Sequence, residues 1–170
     1  MPRHGVIRSA VSSTQSARSL SRTAFGATVH CLTGCAIGEV LGMVIGTAAR
    51  LSNHATIVLS VVLAFFFGYA LTIRPLLAAG LTAAAAAKLA FASDTISITI
   101  MEIVDNLLML VIPGAMDAGL NTLLFWGSLI LSLVIAGAAA FPVNYWLVSR
   151  GKGHAVIHRH HAHGRHPEHM

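Results

Sequence analysis

Long apolar segments dominate the pattern of hydrophobic and polar positions along the chain. A helix that crosses the roughly 30 Å hydrocarbon core of a bilayer needs about 20 consecutive apolar residues, and four segments approach or exceed this length. They are residues 24–49, 55–73, 95–116 and 120–148. Trp126 and Trp146 stand 20 residues apart in the fourth segment, which corresponds to about 30 Å of helix. Because tryptophan favours membrane interfaces, this pair indicates a segment that spans one bilayer.

The alanine-rich segment 76–92 separates the second and third predicted spans. It contains Gly80 and Lys88 and follows Pro75, which cannot continue a regular helix. If this segment does not cross the membrane, ten Lys and Arg residues lie on one side and only Arg50 lies on the other. That split satisfies the positive-inside rule and predicts two cytoplasmic termini, whereas a fifth span would separate the two basic tails. We therefore expect residues 76–92 to form an interfacial or half-buried helix.

The composition excludes most other classes of protein. Of the 170 residues, 55% are hydrophobic and only 10% are charged, and the mean hydropathy is +0.74. Disorder requires low hydrophobicity, and two cysteines are too few for a disulfide-stapled secreted scaffold. The sequence thus predicts an all-α polytopic helix bundle in the cell membrane, with four transmembrane helices and one interfacial or half-buried helix. We expect residues 1–23 to form a basic disordered tail and residues 150–170 a His-rich tail, both cytoplasmic.

Several polar side chains lie inside the predicted spans, where lipid should not tolerate them. An acidic residue near the centre of a bilayer costs roughly 2.5–3.5 kcal/mol, so three such residues are not accidental. We expect these side chains to face the interior of the bundle, where they pair, bind protons or hold a cation. They are His30, Cys31, Cys35 and Glu39 in the first span and Glu102, Asp105 and Asn106 in the third.

Helical spacing groups the polar residues of the first span on one face. Cys31, Cys35 and Glu39 recur every four residues and therefore lie along one stripe of a helix. A neighbouring stripe carries glycines at the same spacing, a pattern that lets another helix approach closely. These glycines are Gly34, Gly38, Gly42 and Gly46. Counting helical rise from the start of each span places Cys31 level with Glu102 and Cys35 level with Asp105. The thiols and acids of the first and third spans should therefore meet near mid-membrane.

The donor atoms of these residues suit a transition-metal ion. Thiolate, imidazole and carboxylate ligands favour Zn²⁺, and thiols together with Met43, Met101 or Met109 favour Cu(I). Buried acids could instead relay protons, or the polar side chains could only join neighbouring helices by hydrogen bonds. Redox chemistry is the least favoured interpretation, because cysteines four residues apart on a helix have poor disulfide geometry. The candidate metal ligands are Cys31, Cys35, Glu39, Glu102, Asp105 and His30.

Histidine dominates the carboxy-terminal tail. Seven of the last 17 residues are histidine, and such a tract can bind Zn²⁺, Ni²⁺ or Cu²⁺. Near pH 6 the tract would become positively charged and bind anionic lipid. The basic residues of both tails flank membrane spans, so we expect no nucleic-acid partner. The candidate residues for metal capture are His154, His158, His160, His161, His163 and His166.

Several short motifs resemble those of one membrane-protein family. They are HCLTGCAIGE at 30–39, MEIVDN at 101–106, PGAM at 113–116, FW at 125–126, PVNYWL at 142–147 and RGKGHAVIH at 150–158. Over roughly residues 25–160 the chain resembles the family called domain of unknown function 4396, which comprises small prokaryotic multi-pass membrane proteins. The resemblance implies a membrane helix bundle and supplies no activity, substrate or catalytic residue.

Two functional hypotheses follow from these patterns. The first is a membrane protein that handles or transports a transition-metal ion, or coupled protons, through a buried Cys/Glu/Asp site. The second is a structural or assembly subunit of a membrane complex, or a homo-oligomer, whose polar residues only determine helix packing. An integral-membrane enzyme is the least favoured class, because the sequence contains no Gly-x-Ser-x-Gly, His-Glu-x-x-His or dinucleotide-binding motif.

Overall fold

The computed structural model describes residues 3–150, with side chains from residue 17 onward. Within this part of the chain the architecture is all-helical, as predicted. The four helices are α1 (Arg3–Ala48), α2 (Asn53–Ala78), α3 (Ala83–Val111) and α4 (Leu123–Ser149). Short turns join α1 to α2 and α2 to α3, so consecutive helices run antiparallel and α1 is parallel to α3.

The turn between α1 and α2 ends one helix and begins the next within four residues. Arg50 adopts a left-handed conformation with φ of 54°, and the amide of Leu51 donates to the carbonyl of Gly46 at 2.9 Å. This is a Schellman motif, which satisfies carbonyls that the helix end leaves unpaired. The hydroxyl of Ser52 then accepts a hydrogen bond from the amide of Ala55, so serine is the N-cap of α2.

Segment 76–92 does not form the separate interfacial or half-buried helix that we predicted. Its two ends belong to the last turn of α2 and the first turns of α3. Gly80, with φ of 88°, ends α2 in a second Schellman motif, in which the amide of Leu81 donates to the carbonyl of Leu76 at 3.1 Å. Pro75 lies inside the last turn of α2, where its missing amide removes only one helical hydrogen bond. The prediction was wrong because the glycine, and not the proline, stops the helix.

The remaining helix bounds differ from the predicted spans mainly at their starts. Helix α1 begins at Arg3, within the tail predicted for residues 1–23, and no proline interrupts it. Helix α3 begins at Ala83 instead of residue 95, because the hydroxyl of Thr82 caps it there. It ends before Pro113, so its last residue precedes the predicted end at residue 116. Apolar runs mark where lipid can surround a helix, and they do not mark where the helix itself begins.

Three helical segments are long and apolar enough to cross a membrane by length and composition. They are Ala17–Ala48, Asn53–Ala78 and Leu123–Ser149. Helix α3, the predicted third span, does not belong to this group. Its charged residues are Lys88, Asp94, Glu102 and Asp105. The three apolar helices among the described residues indicate a membrane protein, and α3 is a fourth long helix beside them.

The distribution of polar and apolar side chains is the inverse of that in a water-soluble bundle. Large hydrophobic side chains such as Val58, Phe66 and Leu110 are about three-fifths exposed. Asp94 and Ser132, in contrast, are fully buried. A protein in water would bury the first group and expose the second. This arrangement fits a bundle whose outer surface faces hydrocarbon and whose interior satisfies polar groups.

Helices α1 and α2 pack backbone to backbone along the predicted glycine stripe. A Cβ atom added to Gly34 would lie 2.7 Å from the Cα of Gly68, and one added to Gly38 would overlap the backbone of Ala64. Further along the same interface, Gly42 faces Ser60 and Gly46 faces Thr56. Small residues thus recur every fourth position on both helices, as expected for close helix packing. This contact leaves the adjacent stripe of α1 directed toward α3.

Candidate functional site

The stripe of Cys31, Cys35 and Glu39 faces α3 in the centre of the bundle. Both cysteines are 1% exposed and Glu39 is 6% exposed. On α3, Glu102 and Asp105 are 4% and 3% exposed. The structure therefore places these residues of the first and third helices inside the protein, facing one another.

The contacts between the two stripes occur at three successive levels. Cys31 contacts Ser97, Cys35 contacts Glu102, and Glu39 contacts Asp105. The sequence had predicted Cys31 level with Glu102 and Cys35 level with Asp105, which is about one helical turn away from the observed register. The difference arises because the relative height of α1 and α3 is determined by how the helices pack, which the ends of the apolar runs do not report.

We call Glu39, Glu102 and Asp105 the acid cluster. The hydroxyl of Ser132 on α4 donates a short hydrogen bond to Asp105 Oδ1. The side-chain amide of Asn106 donates to Glu102 Oε2 at 3.4 Å and to the Glu102 carbonyl at 2.8 Å. Two of the three acids are thus supplied with donors by neighbouring side chains.

Glu39 differs from the other two acids because neither of its carboxylate oxygens has a hydrogen-bond donor among the described residues. It lies next to Asp105, and two carboxylates can share a hydrogen bond only when one of them carries a proton. No described Lys or Arg side chain pairs with the cluster. Because an unpaired buried charge is very costly, Glu39 requires a proton or a cation.

A small cavity of about 30 Å³ adjoins Glu39 and Asp105, which is room for one water molecule or one ion. Its polar lining comes from Glu39, Ser60, Asp105 and Asn106, and its thioether lining from Met43, Met109 and Met116. A wider cleft of about 360 Å³ lies next to it, at the end of the bundle where Arg50 and Asp117 are found. Met43 and Met116 line both spaces, so they separate the cavity from the cleft.

Residues 21–153 match the family model described as Domain of unknown function (DUF4396). The match covers more than three quarters of the chain and includes the whole acid cluster. The chain belongs to the DUF4396 family. The resemblance noted from the sequence motifs is thereby confirmed. Neither the curated proteins nor the solved structures compared with this chain include a significant match.

The predicted metal ligands of this DUF4396 protein do not converge on one point. Among the described residues, no three His, Cys, Asp or Glu side chains are grouped so that they could hold one metal ion. Cys31 and Cys35 instead lie in an apolar core with Ile98 and Met101. His30 is half-buried and its Nε2 contacts the hydroxyl of Thr72 on α2 at 2.8 Å. The tail histidines from His154 onward lie outside the described residues, so metal capture there stays a prediction.

Sequence reasoning missed several residues that contact the cluster or support it. Ser60 and Ser132 come from α2 and α4, and Asn144 joins three helices by donating to Thr28 and Ser97 at 2.9 Å each. The serine on α2 belongs to a four-residue repeat of small residues that complements the glycines of α1. That repeat is the signal that could have identified the inward face of α2. Ser132 and Asn144 carry no comparable pattern in the sequence.

Proposed function

We propose that this DUF4396 protein binds a small cation, a metal ion or a proton, at the acid cluster and moves it through the membrane. The observation that carries the proposal is the Glu39 carboxylate, which is buried, lacks a donor and lines a cavity beside Asp105. A protein that needed Glu39 only for packing would gain stability from an apolar side chain of similar size. An acid kept in this position is typical of ion pathways and proton relays in membranes.

We infer that α3 also crosses the bilayer, as the fourth span. Its 29 residues would extend over about 43 Å as a helix, which exceeds the hydrocarbon thickness. Its outward side chains, such as Phe91, Ile103 and Leu107, are apolar and about three-fifths exposed. Asp94, by contrast, is fully buried. The other three helices would therefore shield the acids of α3 from lipid, whereas Lys88 is exposed near the start of the helix.

Four crossings would return the chain to the side on which it started. The end of the bundle that contains the start of α1, the α2–α3 turn and the end of α4 carries most of the basic residues. They are Arg18, Arg22, Arg74, Lys88 and Arg150. The opposite end carries Arg50 together with Asp117. By the positive-inside rule the first end is cytoplasmic, and the cleft beside the cavity would open on the other side.

The donor set favours the acids over the thiols as the functional groups. Cys31 and Cys35 pack with apolar side chains and do not line the cavity. A carboxylate site without a thiolate or imidazole ligand does not favour Zn²⁺. The cation would therefore bind in the predicted buried region, but to the acid cluster and not to the cysteines.

A structural or assembly role remains the second candidate, and one observation favours it. Asn144 links α1, α3 and α4 through hydrogen bonds to Thr28 and Ser97, which is what a residue that determines helix packing would do. For this role the acid cluster would only add further contacts between helices. The two candidates differ in whether any ion moves.

Ion uptake by sealed liposomes that contain the full chain tests the proposal. A panel of Na⁺, K⁺, Mn²⁺, Zn²⁺ and Cu⁺ would be offered outside, with a pH-sensitive dye inside to report protons. We expect one of these ions or the proton to move at least about tenfold faster than in empty liposomes. Glu39→Gln should remove this flux, whereas Glu168→Gln, the same change outside the family match, should not. A folded protein that moves none of these ions would leave the structural role as the explanation.

A further inference from the structure

Oxygen atoms without hydrogen-bond donors meet at the cavity from two different helices. Both carboxylate oxygens of Glu39 and the hydroxyl oxygen of Ser60 are buried and unpartnered among the described residues. Each of these residues is 6% exposed and each lines the cavity. Unpartnered buried polar atoms are rare in native proteins and call for an explanation such as a bound ion. Here three of them border one space.

Helix α3 contributes two further oxygen donors to the same space. Asp105 and Asn106 line the cavity opposite Glu39 and Ser60. The amide nitrogen of Asn106 donates to Glu102, which leaves the amide oxygen as its other polar atom. Carboxylate, hydroxyl and amide oxygens are the ligands preferred by hard cations. The cavity lining contains no histidine or cysteine, which are the ligands that zinc prefers.

One carboxylate of the acid cluster lacks a hydrogen-bond donor among the described residues. Asp105 receives a hydrogen bond from Ser132, and Glu102 receives one from Asn106. Glu39 is the one member of the acid cluster with no donor to either oxygen. A cation in the cavity would therefore supply the missing partner of this carboxylate, since buried charges are otherwise paired.

The size of the cavity favours a small ion that has lost its water. A volume of about 30 Å³ holds about one water-sized particle. Mg²⁺ gives up water reluctantly and usually keeps several water molecules, so a hydrated divalent ion does not fit. A small monovalent ion gives up its water at a far lower cost than a divalent ion, so the few oxygens that line the cavity can replace that water. The thioethers of Met43, Met109 and Met116 are uncharged and would form the apolar part of the wall.

The neighbouring cleft provides a route to this cavity. Met43 and Met116 lie between the two spaces, and Asp117 lines the cleft with Asn53, whose side-chain amide donates to it at 3.3 Å. The cleft lining carries one acid, Asp117, and one cation, Arg50, so the attraction for an incoming cation comes from the acid cluster beyond it. The route starts from the end of the bundle formed by the α1–α2 turn and the α3–α4 loop.

We propose that the cavity binds one small, hard, singly charged metal ion of the class of Na⁺ or Li⁺. Glu39 and Asp105 supply the charge, and Ser60 and Asn106 are the neutral oxygen ligands that determine specificity. This inference rests on the proposed function and names the class of cation that the acid cluster takes. It assigns roles to two residues, on α2 and α3, that the sequence did not single out as ligands.

Cation-dependent thermal stability of the full chain in lipid nanodiscs tests this site. The protein would be prepared at one pH in a choline buffer and titrated with nitrate salts of Li⁺, Na⁺, K⁺, Mg²⁺, Mn²⁺ and Ag⁺. We expect Na⁺ or Li⁺ to raise the unfolding midpoint saturably, by about 5–10 °C at 100 times Kd. We expect the other ions to match the choline baseline.

Variants separate this site from general effects on folding. Ser60→Ala should leave the midpoint without ion close to the wild-type value and weaken Na⁺ or Li⁺ binding by at least about tenfold. Glu39→Gln should abolish the stabilisation. Ser128→Ala is the matched control, because Ser128 is a buried serine on α4 that bonds to its own helix and does not line the cavity. It should retain the full response.

The outcomes distinguish this inference from the proposed function. Stabilisation by Ag⁺, Mn²⁺ or Mg²⁺ but not by Na⁺ or Li⁺ would overturn the assigned ion class. A response to Na⁺ that Ser60→Ala leaves unchanged would overturn the assigned ligands. If liposomes show a Glu39-dependent flux and no stabilisation by Na⁺ or Li⁺, the proposed function stands and this site does not. If Na⁺ or Li⁺ binds but the liposomes show no flux of any ion or proton, the cavity is a structural ion site and the transport proposal is wrong.

Discussion

Helix α1 has two neighbouring faces that meet two very different partners. Toward α2 it presents glycines, and the backbones come so close that a methyl group at Gly38 would overlap Ala64. Toward α3 it presents thiols and Glu39, with a cavity beside the acid. At Gly34 and Gly38 the first interface leaves no room for a methyl group, whereas the second brings three acids together beside a cavity. One helix thus has a face that packs tightly against α2 and a second face whose buried acid costs folding free energy.

The groups that stabilise the bundle and the groups that could bind a ligand lie on different faces of α1. Close backbone packing gains dispersion energy and needs no polar partner. Buried acids reduce stability unless something binds to them. If the two faces have these separate roles, substitutions of Gly38 and of Glu39 should change stability in opposite directions.

The largest change in the free energy of unfolding is expected on the glycine face of α1, which carries Gly34, Gly38, Gly42 and Gly46. Gly38→Ala should lower the free energy of unfolding by about 3 kcal/mol, because the added methyl group overlaps the backbone of α2 and the helices must separate. Gly127→Ala is the matched control, since a Cβ there meets nothing within 4 Å. It should be neutral or stabilise by up to about 1 kcal/mol. Reversible unfolding in mixed micelles measures both, and equal stabilities of the two variants would contradict the role of this face.

The second largest change is an increase in the free energy of unfolding. It is expected on the acid face of α1, which carries Cys31, Cys35 and Glu39. Glu39→Gln should raise the free energy of unfolding by about 1–2 kcal/mol in the absence of added cation, because it removes a buried carboxylate without a donor. The same variant should lose ion flux in liposomes. A loss of stability in ion-free buffer would show that Glu39 already has a partner within the protein, and would remove the main support for the site.

A smaller loss of stability is expected for Ser132 on α4, whose hydroxyl donates to Asp105. Ser132→Ala removes the donor to Asp105 and should cost about 1.5 kcal/mol, which is typical of a hydrogen bond to a charged group. Ser128→Ala should cost about 0.5 kcal/mol or less, because its hydroxyl bonds only to backbone carbonyls of its own helix. Parallel unfolding curves for the two variants test the difference. Equal losses would mean that Asp105 does not depend on Ser132.

The smallest expected effect separates the thiols from the acids on the same stripe. Cys35→Ala should lower stability by about 1 kcal/mol, since a small buried sulfur leaves only a small space. It should change cation flux at most about twofold, because Cys35 does not line the cavity. Flux measurements on this variant would be compared with those on Glu39→Gln. A large loss of flux would restore the thiolate ligand predicted from the sequence.

Much of this fold could be predicted from local patterns. The apolar runs predicted α2 and α4 closely, and the four-residue spacing of glycines and cysteines predicted two adjacent faces of α1. The cost of charge in hydrocarbon predicted that Glu39, Glu102 and Asp105 turn inward. These features depend on helical periodicity and on solvation, and both can be read from a single segment of chain.

The tertiary structure decided what local patterns do not contain. The stop at Gly80 instead of Pro75 depends on a left-handed turn that lets α3 return against α2. The pairing of Glu39 with Asp105, one turn away from the predicted register, depends on how far α1 slides along α2. The contributions of Ser60 and Ser132 depend on which helices surround the acids. Periodicity determines the face on which a side chain lies, whereas its partner is determined by the packing of several helices at once, and no single segment encodes that packing.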